Sequence, residues 1–323
     1  MIILSVILFL LFIGVSRSGI SFFQMDINSI AWLNIILYIK CPEYIASWLV
    51  GCSLGIVGCI MQGLLRNPLA DPGILGVSSG ASFFGVLLIC ILPTVGGLSG
   101  GIITFAFIVA SFVGAILVLV ILYLFTKVIY NTSPVTVILV GVALGGLFNA
   151  LSMLLVTFSQ DQQMRQAIIW GSGGVADISW SSVVILLVAL CCSFLYLFRC
   201  MPSLNILSLG EDSATSAGLD VTSLLLKVII GTSVIIATSI AIFGPLGFIG
   251  LISPHISRLI RGPEHRRLIL TSGLVGGVIM MVTTYVSYEV AYPYVISKGI
   301  IIALLGGPFF LWILFQNYST KRT

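Results

Sequence analysis

The chain has 323 residues, of which 59% are hydrophobic and only 7% charged, with a mean hydropathy of +1.22. A soluble domain carries about 25% charged residues, so this chain cannot present a solvated surface on all sides and reads as an all-α polytopic membrane protein. Its net charge of +4 is no nucleic-acid footprint, and apolar runs such as 102–125 lack the alternation of a membrane β-barrel.

Taken in order, with charges and Gly/Pro clusters as punctuation, the sequence predicts ten membrane helices of roughly 20 mostly apolar residues each. The first covers 1–16; it has no basic n-region and so reads as a short span rather than a cleaved signal. Residues 22–40 mix Asp26, Asn28 and Asn34 with apolar positions and read as interfacial. Further spans are predicted at 43–65, 74–92, 102–126 and 135–158. A polar loop at 159–165 and an interfacial turn around Trp170 come before spans at 179–198, 227–243, 248–261, 268–287 and 299–316. The seven cysteines form no CxxC pair and read as small apolar helix residues.

Orientation follows from the basic residues. With both termini inside, Arg66, Lys127, Arg199, Lys227, Arg258, Arg261, Arg266, Arg267, Lys321 and Arg322 face the cytoplasm, against Arg17, Lys40, Arg165 and Lys298 outside. That bias is the positive-inside pattern, although the flanks of the first helix run against it. Pro72–Gly76 and Pro245–Gly250 are loosely similar and sit at matching places in the two halves, as in transporters built by duplication.

Four polar interruptions carry what chemistry there is. In 66–81, RNPLADPGILGVSSGA, the segment Arg66-Asn67-Pro68 ends a helix. Asp71-Pro72-Gly73 is a turn, and small residues including Gly76 open the next helix. In 207–218, LSLGEDSATSAG, Glu211 and Asp212 follow Gly210 into a first helical turn, where the macrodipole favours acids. With Ala214, Ala217 and Gly218 leaving a small-sided face, this segment is either an ordinary interfacial helix or a knob for a cytosolic partner. In 243–268, Gly244, Pro245 and Gly247 allow tight packing, while Pro254 bends a helix and frees a carbonyl that needs a donor. His255 and Arg258 follow, and Arg258 shares a face with Arg261; these cations either anchor a helix end or face a partner. In 299–312, Gly306-Gly307-Pro308 breaks the last span.

Enzymatic signatures are missing. There is no GxxxxGK[ST] to cradle ATP phosphates and no HExxH, and His255 and His265 have no third ligand at metal spacing. The spans hold almost no carboxylates of the kind a self-sufficient, ion-coupled transporter would need, and no paired catalytic residues at bilayer depth.

The first interruption is similar to the signature loop of the permease subunits of iron-siderophore, haem and cobalamin ABC importers. LxLGExxAxxxG at Leu207–Gly218, GPxGFxGLxxPHxxRLxxGxxHR at Gly244–Arg266 and GxPFFLW at Gly306–Trp312 resemble the same family. The resemblance implies one transmembrane permease domain over 1–323 with the type II ABC importer permease fold. It implies a bacterial cytoplasmic (inner) membrane location and a homodimer around one pathway. Two copies of a cytosolic ATPase, which holds ATP and Mg, would drive it; this chain would bind no cofactor or metal. A periplasmic or lipid-anchored binding protein would deliver an iron chelate, with cobalamin the alternative. The coupling segment, about 203–222, would seat Leu209, Gly210, Glu211, Asp212, Ala214 and Gly218 against the ATPase, and Thr132, Ser133, Pro134 and Thr136 would lie near the cytoplasmic gate.

Two departures stand out. Family members carry arginines around a Leu-Pro before the second helix, expected to dock glutamates of the binding protein; here Lys40-Cys41-Pro42-Glu43 puts an acid at the second position. The family's Glu-Leu-Pro before the last helix is here Val295-Ile296-Ser297. Charge reversal at an exposed rim would repel a glutamate, which implies a divergent outer partner. Asp161–Arg165 before Trp170 is reminiscent of haem permeases.

Overall fold

The computed structural model describes residues 2–14, 30–68, 70, 71, 73, 75–91, 100–128, 134–174, 178–290 and 292–319. These form fourteen α-helices and one π-helical turn, with no strand among the described residues. In order they are α1 (Ile2–Gly14), α2 (Ile30–Ile35), the π-turn (Ile36–Lys40), α3 (Cys41–Leu64), α4 (Val77–Ile91), α5 (Gly100–Val128) and α6 (Pro134–Thr157). Then come α7 (Asp161–Gly171), α8 (Trp180–Phe198), α9 (Met201–Leu207), α10 (Glu211–Ser216), α11 (Val221–Phe243), α12 (Ile249–Arg261), α13 (His265–Glu289) and α14 (Lys298–Ser319). Each of the ten predicted spans falls on a helix. Six segments among the described residues are long and apolar enough to cross a membrane alone. With 13, 15 and 13 residues, α1, α4 and α12 are shorter than the hydrocarbon core is thick.

The bundle is organised around α3. Its apolar residues run all the way round, the pattern of a helix surrounded by protein, and 21 of its 24 residues are buried. Glycines let its neighbours approach to backbone contact. A Cβ on Gly51 would lie 2.2 Å from the Gly276 carbonyl oxygen on α13, and one on Gly58 would lie 2.0 Å from that of Gly250 on α12. Gly80 of α4 and Gly114 of α5 meet in the same way, as small residues at membrane helix crossings do.

Several boundaries differ from the sequence reading. Residues 30–40 are helical and run straight into α3 as one rod over Leu33–Leu64, rather than lying apart at the interface. Pro42 has no N–H to give to the turn before it, and the π-turn at 36–40 absorbs that mismatch. Of the expected polar loop at 159–165, residues 161–165 instead open α7. Gln160 and Gln163 form a capping box there, satisfying amides that a loop would leave to water. The seventh span starts at Val221, because Asp220 caps it by accepting from the Ser223 N–H at 3.0 Å.

The expected break at Gly306-Gly307-Pro308 is also absent: α14 continues through it. Gly306 serves packing instead, since a Cβ there would strike the Phe248 ring at 2.4 Å. Pro254 likewise sits inside a continuous α12. The carbonyl it frees is that of Gly250, four residues earlier, and the buried side chain of Gln62 donates to it from Nε2 at 3.2 Å.

Candidate functional site

The signature loop forms the floor of a cavity. Beyond the α3 cap at Leu65, Arg66 takes a left-handed conformation (φ +49). The Asn67 N–H donates back to the Gln62 carbonyl at 3.2 Å, and that of Ala70 to Asn67 at 3.0 Å. Asp71 then accepts from the Gly73 N–H at 2.7 Å, the side-chain-closed turn that this residue pair favours. Pro68 is exposed, and Pro72 lies outside the described residues. The Asp71 carboxyl is buried, which pushes its pKa up to about 6 against the opposing pull of the Gly73 N–H.

Asp71 and Gly73 open onto a cavity of about 600 Å³. Serines 78, 79 and 82 of α4, Asn149 and Ser152 of α6, and the Pro245–Gly247 turn contribute to its wall. The two stretches singled out as loosely similar thus face one cavity. Trp170 closes another side. Its ring fills the space a side chain on Gly85 would need, at 2.3 Å, and its carbonyl abuts Gly244, where a Cβ would lie 2.2 Å away. Gln163 Nε2 fixes α7 to α4 by donating to the Cys90 carbonyl at 3.1 Å. At the far end of α7, Ser172 Oγ donates to Ser297 Oγ at 2.8 Å.

A smaller cavity of about 230 Å³ adjoins the same two loops, lined by Pro68 and Phe248 together with residues of α12 and α14. Phe248 has φ +61, and the Ile249 N–H closes a tight turn on the Gly247 carbonyl at 2.7 Å. A bulky residue there is strained. His255 meets Phe309 edge-on at 5.8 Å between ring centroids. Arg258 is half-buried, and its Nη1 has no hydrogen-bond partner among the described residues. His265, which lies between the predicted spans 248–261 and 268–287, is the buried first residue of α13. Asn205 Oδ1 accepts from its backbone N–H at 3.2 Å and from its ring Nδ1 at 2.8 Å.

The expected coupling segment comprises α9, α10 and their connections. Ala214 is fully buried and pins α10 to the bundle, while Leu209 is 75% exposed. Gly210, at φ +117, precedes the acidic first turn of Glu211 and Asp212. The helix ends in a paired cap: the Leu219 N–H reaches Ala214 and the Gly218 N–H reaches Thr215, with Gly218 at φ +84. That geometry is the left-handed glycine stop. Arg66 Nη2 donates to Glu211 Oε2 at 3.4 Å, so the signature loop and the coupling segment share one face of the bundle.

At the opposite end the docking expectation needs correction. Glu43 is 8% exposed. Its Oε1 accepts from Lys298 Nζ at 2.8 Å and from the Tyr288 hydroxyl at 2.7 Å. Lys40 is half-buried, with its Nζ shielded from solvent. Neither residue offers a free charge to an outer partner. The acid at position 43 is instead balanced by the lysine just after Val295-Ile296-Ser297, so the two departures are physically coupled. What sequence reading missed here is exposed aromatic surface: Tyr292 and Tyr294 are 55% and 78% exposed, residues of the kind that mark a membrane–water interface. Of the expected gate residues, Thr132 and Ser133 lie outside the described residues, Pro134 opens α6 and Thr136 is half-buried.

Known proteins share this arrangement. The sequence profile of the FecCD transport family matches residues 1–316. The hemin transport system permease protein HmuU of Yersinia pestis is 32% identical over 90% of this chain and 84% of its own length. The vitamin B12 import system permease protein BtuC of Vibrio cholerae is 31% identical over 89% and 84%. A solved inward-facing ABC transporter of metal-chelate type superposes with a TM-score of 0.86 at 29% identity, covering 97% of both chains.

Proposed function

Because the chain belongs to the FecCD transport family, we propose that it is the membrane-spanning permease subunit of an ATP-driven ABC importer for an iron chelate, a ferric siderophore or haem. The observation that carries this reading is the 600 Å³ cavity. Its wall gathers serines, Asn149 and Asp71 around one space between helices. Asp71 apart, the lining is neutral, and neutral polar groups in a membrane-embedded cavity pass a solute without holding it tightly. On α6, which supplies part of that wall, Leu139, Val142, Leu147 and Leu154 are 53–63% exposed. A second copy covers this face and completes the pathway, giving a homodimer of the closed two-fold kind.

Energy comes from two copies of a cytosolic ATPase, which carry ATP and Mg and seat on the exposed Leu209 and the acidic turn of α10. A periplasmic or lipid-anchored binding protein delivers the ligand at the outer mouth without drawing on Lys40 or Glu43. The location is the cytoplasmic (inner) membrane. Reconstitution with the ATPase and binding protein tests this, comparing uptake of haem, ferric siderophores and cobalamin. Nucleotide-dependent uptake of an iron chelate is expected. Preference for cobalamin overturns the substrate; full uptake by this chain alone, without nucleotide, overturns the transporter class.

A further inference from the structure

One contact joins the two polar elements on the inner face. Arg66 and Glu211 are 145 residues apart in sequence, yet their side chains pair at 3.4 Å. Arg66 reaches Glu211 from a left-handed backbone (φ +49), a conformation glycine adopts freely and arginine does not. Glu211 opens the same short helix that follows the exposed Leu209.

From Arg66 the path into the protein is short. Asp71, five residues on, is in the cavity wall. The intervening turn is held by the Asn67 and Ala70 backbone hydrogen bonds, with Leu65, Ala70 and Leu75 buried around it. At the end of the loop, Gly76 presses on α6, where a Cβ would come within 2.7 Å of the Gly141 carbonyl oxygen. The buried residues and backbone hydrogen bonds of this turn tie Arg66 to the cavity wall, and close-packed contacts transmit displacement.

We propose that the Arg66–Glu211 pair is the contact through which movement of the coupling helix reaches the cavity floor, with Arg66 as a positioning residue. The proposal rests on the importer reading above. Both side chains are substantially solvent-exposed, at 33% and 51%, so the pair is weak and salt-screened. It therefore links two elements without locking them.

The test uses the complete complex in proteoliposomes and reads solute taken up per ATP hydrolysed, compared among complexes that retain the ATPase. Arg66→Glu is expected to lower that ratio by about two- to fivefold, the range that a contact worth up to about 1 kcal/mol supports. Arg66→Lys keeps the charge and should keep the ratio. Arg66→Gly relaxes the backbone yet removes the contact, so it should lose coupling as Arg66→Glu does; a purely structural role for Arg66 predicts the reverse. Combining Arg66→Glu with Glu211→Arg should recover most of the ratio. Arg66→Glu and Arg66→Gly at the wild-type ratio overturn the proposal, as does a charge swap no better than its worse single variant. A wild-type complex that takes up nothing with ATP sinks the importer reading instead, and the two failures are distinct.

Discussion

The two ion pairs at opposite ends of the bundle are built differently. Lys298–Glu43 closes at 2.8 Å with side chains 4% and 10% exposed, whereas Arg66–Glu211 spans 3.4 Å with 33% and 51% exposed. The outer pair is reinforced by the Tyr288 hydroxyl. The Lys298 ammonium also lies 5.5 Å and 5.8 Å from the ring centroids of Phe243 and Tyr288, within cation–π range. Separating buried charges leaves each without solvent or partner, while water replaces the partner of an exposed one. The N-terminal ends of α3 and α14 and the C-terminal end of α13 are therefore fastened together. At the other end of α3, the contact between the loop at Arg66 and α10 is free to change.

Breaking the outer pair should give the largest effect. Lys298→Met leaves the Glu43 carboxylate buried without its cation and should cost about 3–5 kcal/mol, read as the thermal unfolding midpoint in detergent. The double variant Glu43→Leu with Lys298→Met removes both charges and should recover most of that loss. Equal losses in the single and double variants would show that packing, not charge, fastens this end.

Asp71 tests the cavity floor between the two ends. Burial holds its pKa near 6, above its unfolded value, so between about pH 4 and 6 the folded protein binds more of the proton than the unfolded chain. Stability should therefore fall as pH rises through that window, by on the order of 2–3 kcal/mol, and level off above it. Asp71→Asn retains an acceptor for the Gly73 N–H and should abolish this slope while stabilising the protein at pH 8. An unchanged pH dependence in the variant would show that other groups set it.

Gln62 and Pro254 offer a smaller effect with an internal control. Gln62→Leu leaves the Gly250 carbonyl unpaired and should cost about 1–3 kcal/mol. Adding Pro254→Ala restores the helical N–H that Gly250 would otherwise receive, so the double variant should regain much of the loss. Non-additivity of this sort is the mark of a shared partner.

The sequence made the helices legible because long apolar runs leave few choices in a membrane. All ten predicted spans are helical for that reason, and Asp71-Pro72-Gly73 announced its turn through side-chain chemistry. What could not be read were consequences of tertiary partners. Pro254 signalled a freed carbonyl, but nothing local pointed to Gln62, 188 residues from Gly250, as its donor. Gly306-Gly307-Pro308 looked like a break because the Phe248 ring that occupies the glycine gap belongs to another helix cap. Glu43 looked like a rim charge until Lys298, 255 residues away, was placed beside it. In each case composition identified the residue and long-range packing assigned its role.

The smallest stability effect is expected at the inner pair, and there the contrast between the two ends is sharpest. Arg66→Gln removes an exposed, 3.4 Å contact and should change unfolding by less than about 1 kcal/mol, with the residual effect vanishing at high salt. Arg66→Gly should be slightly more stable than Arg66→Gln, because at φ +49 the glycine loses a backbone penalty that glutamine keeps. A loss from Arg66→Gln as large as that from Lys298→Met would mean that the inner pair also fastens the bundle. A lever of that kind could not move without partial unfolding, and the division between a fixed outer end and a working inner end would fail.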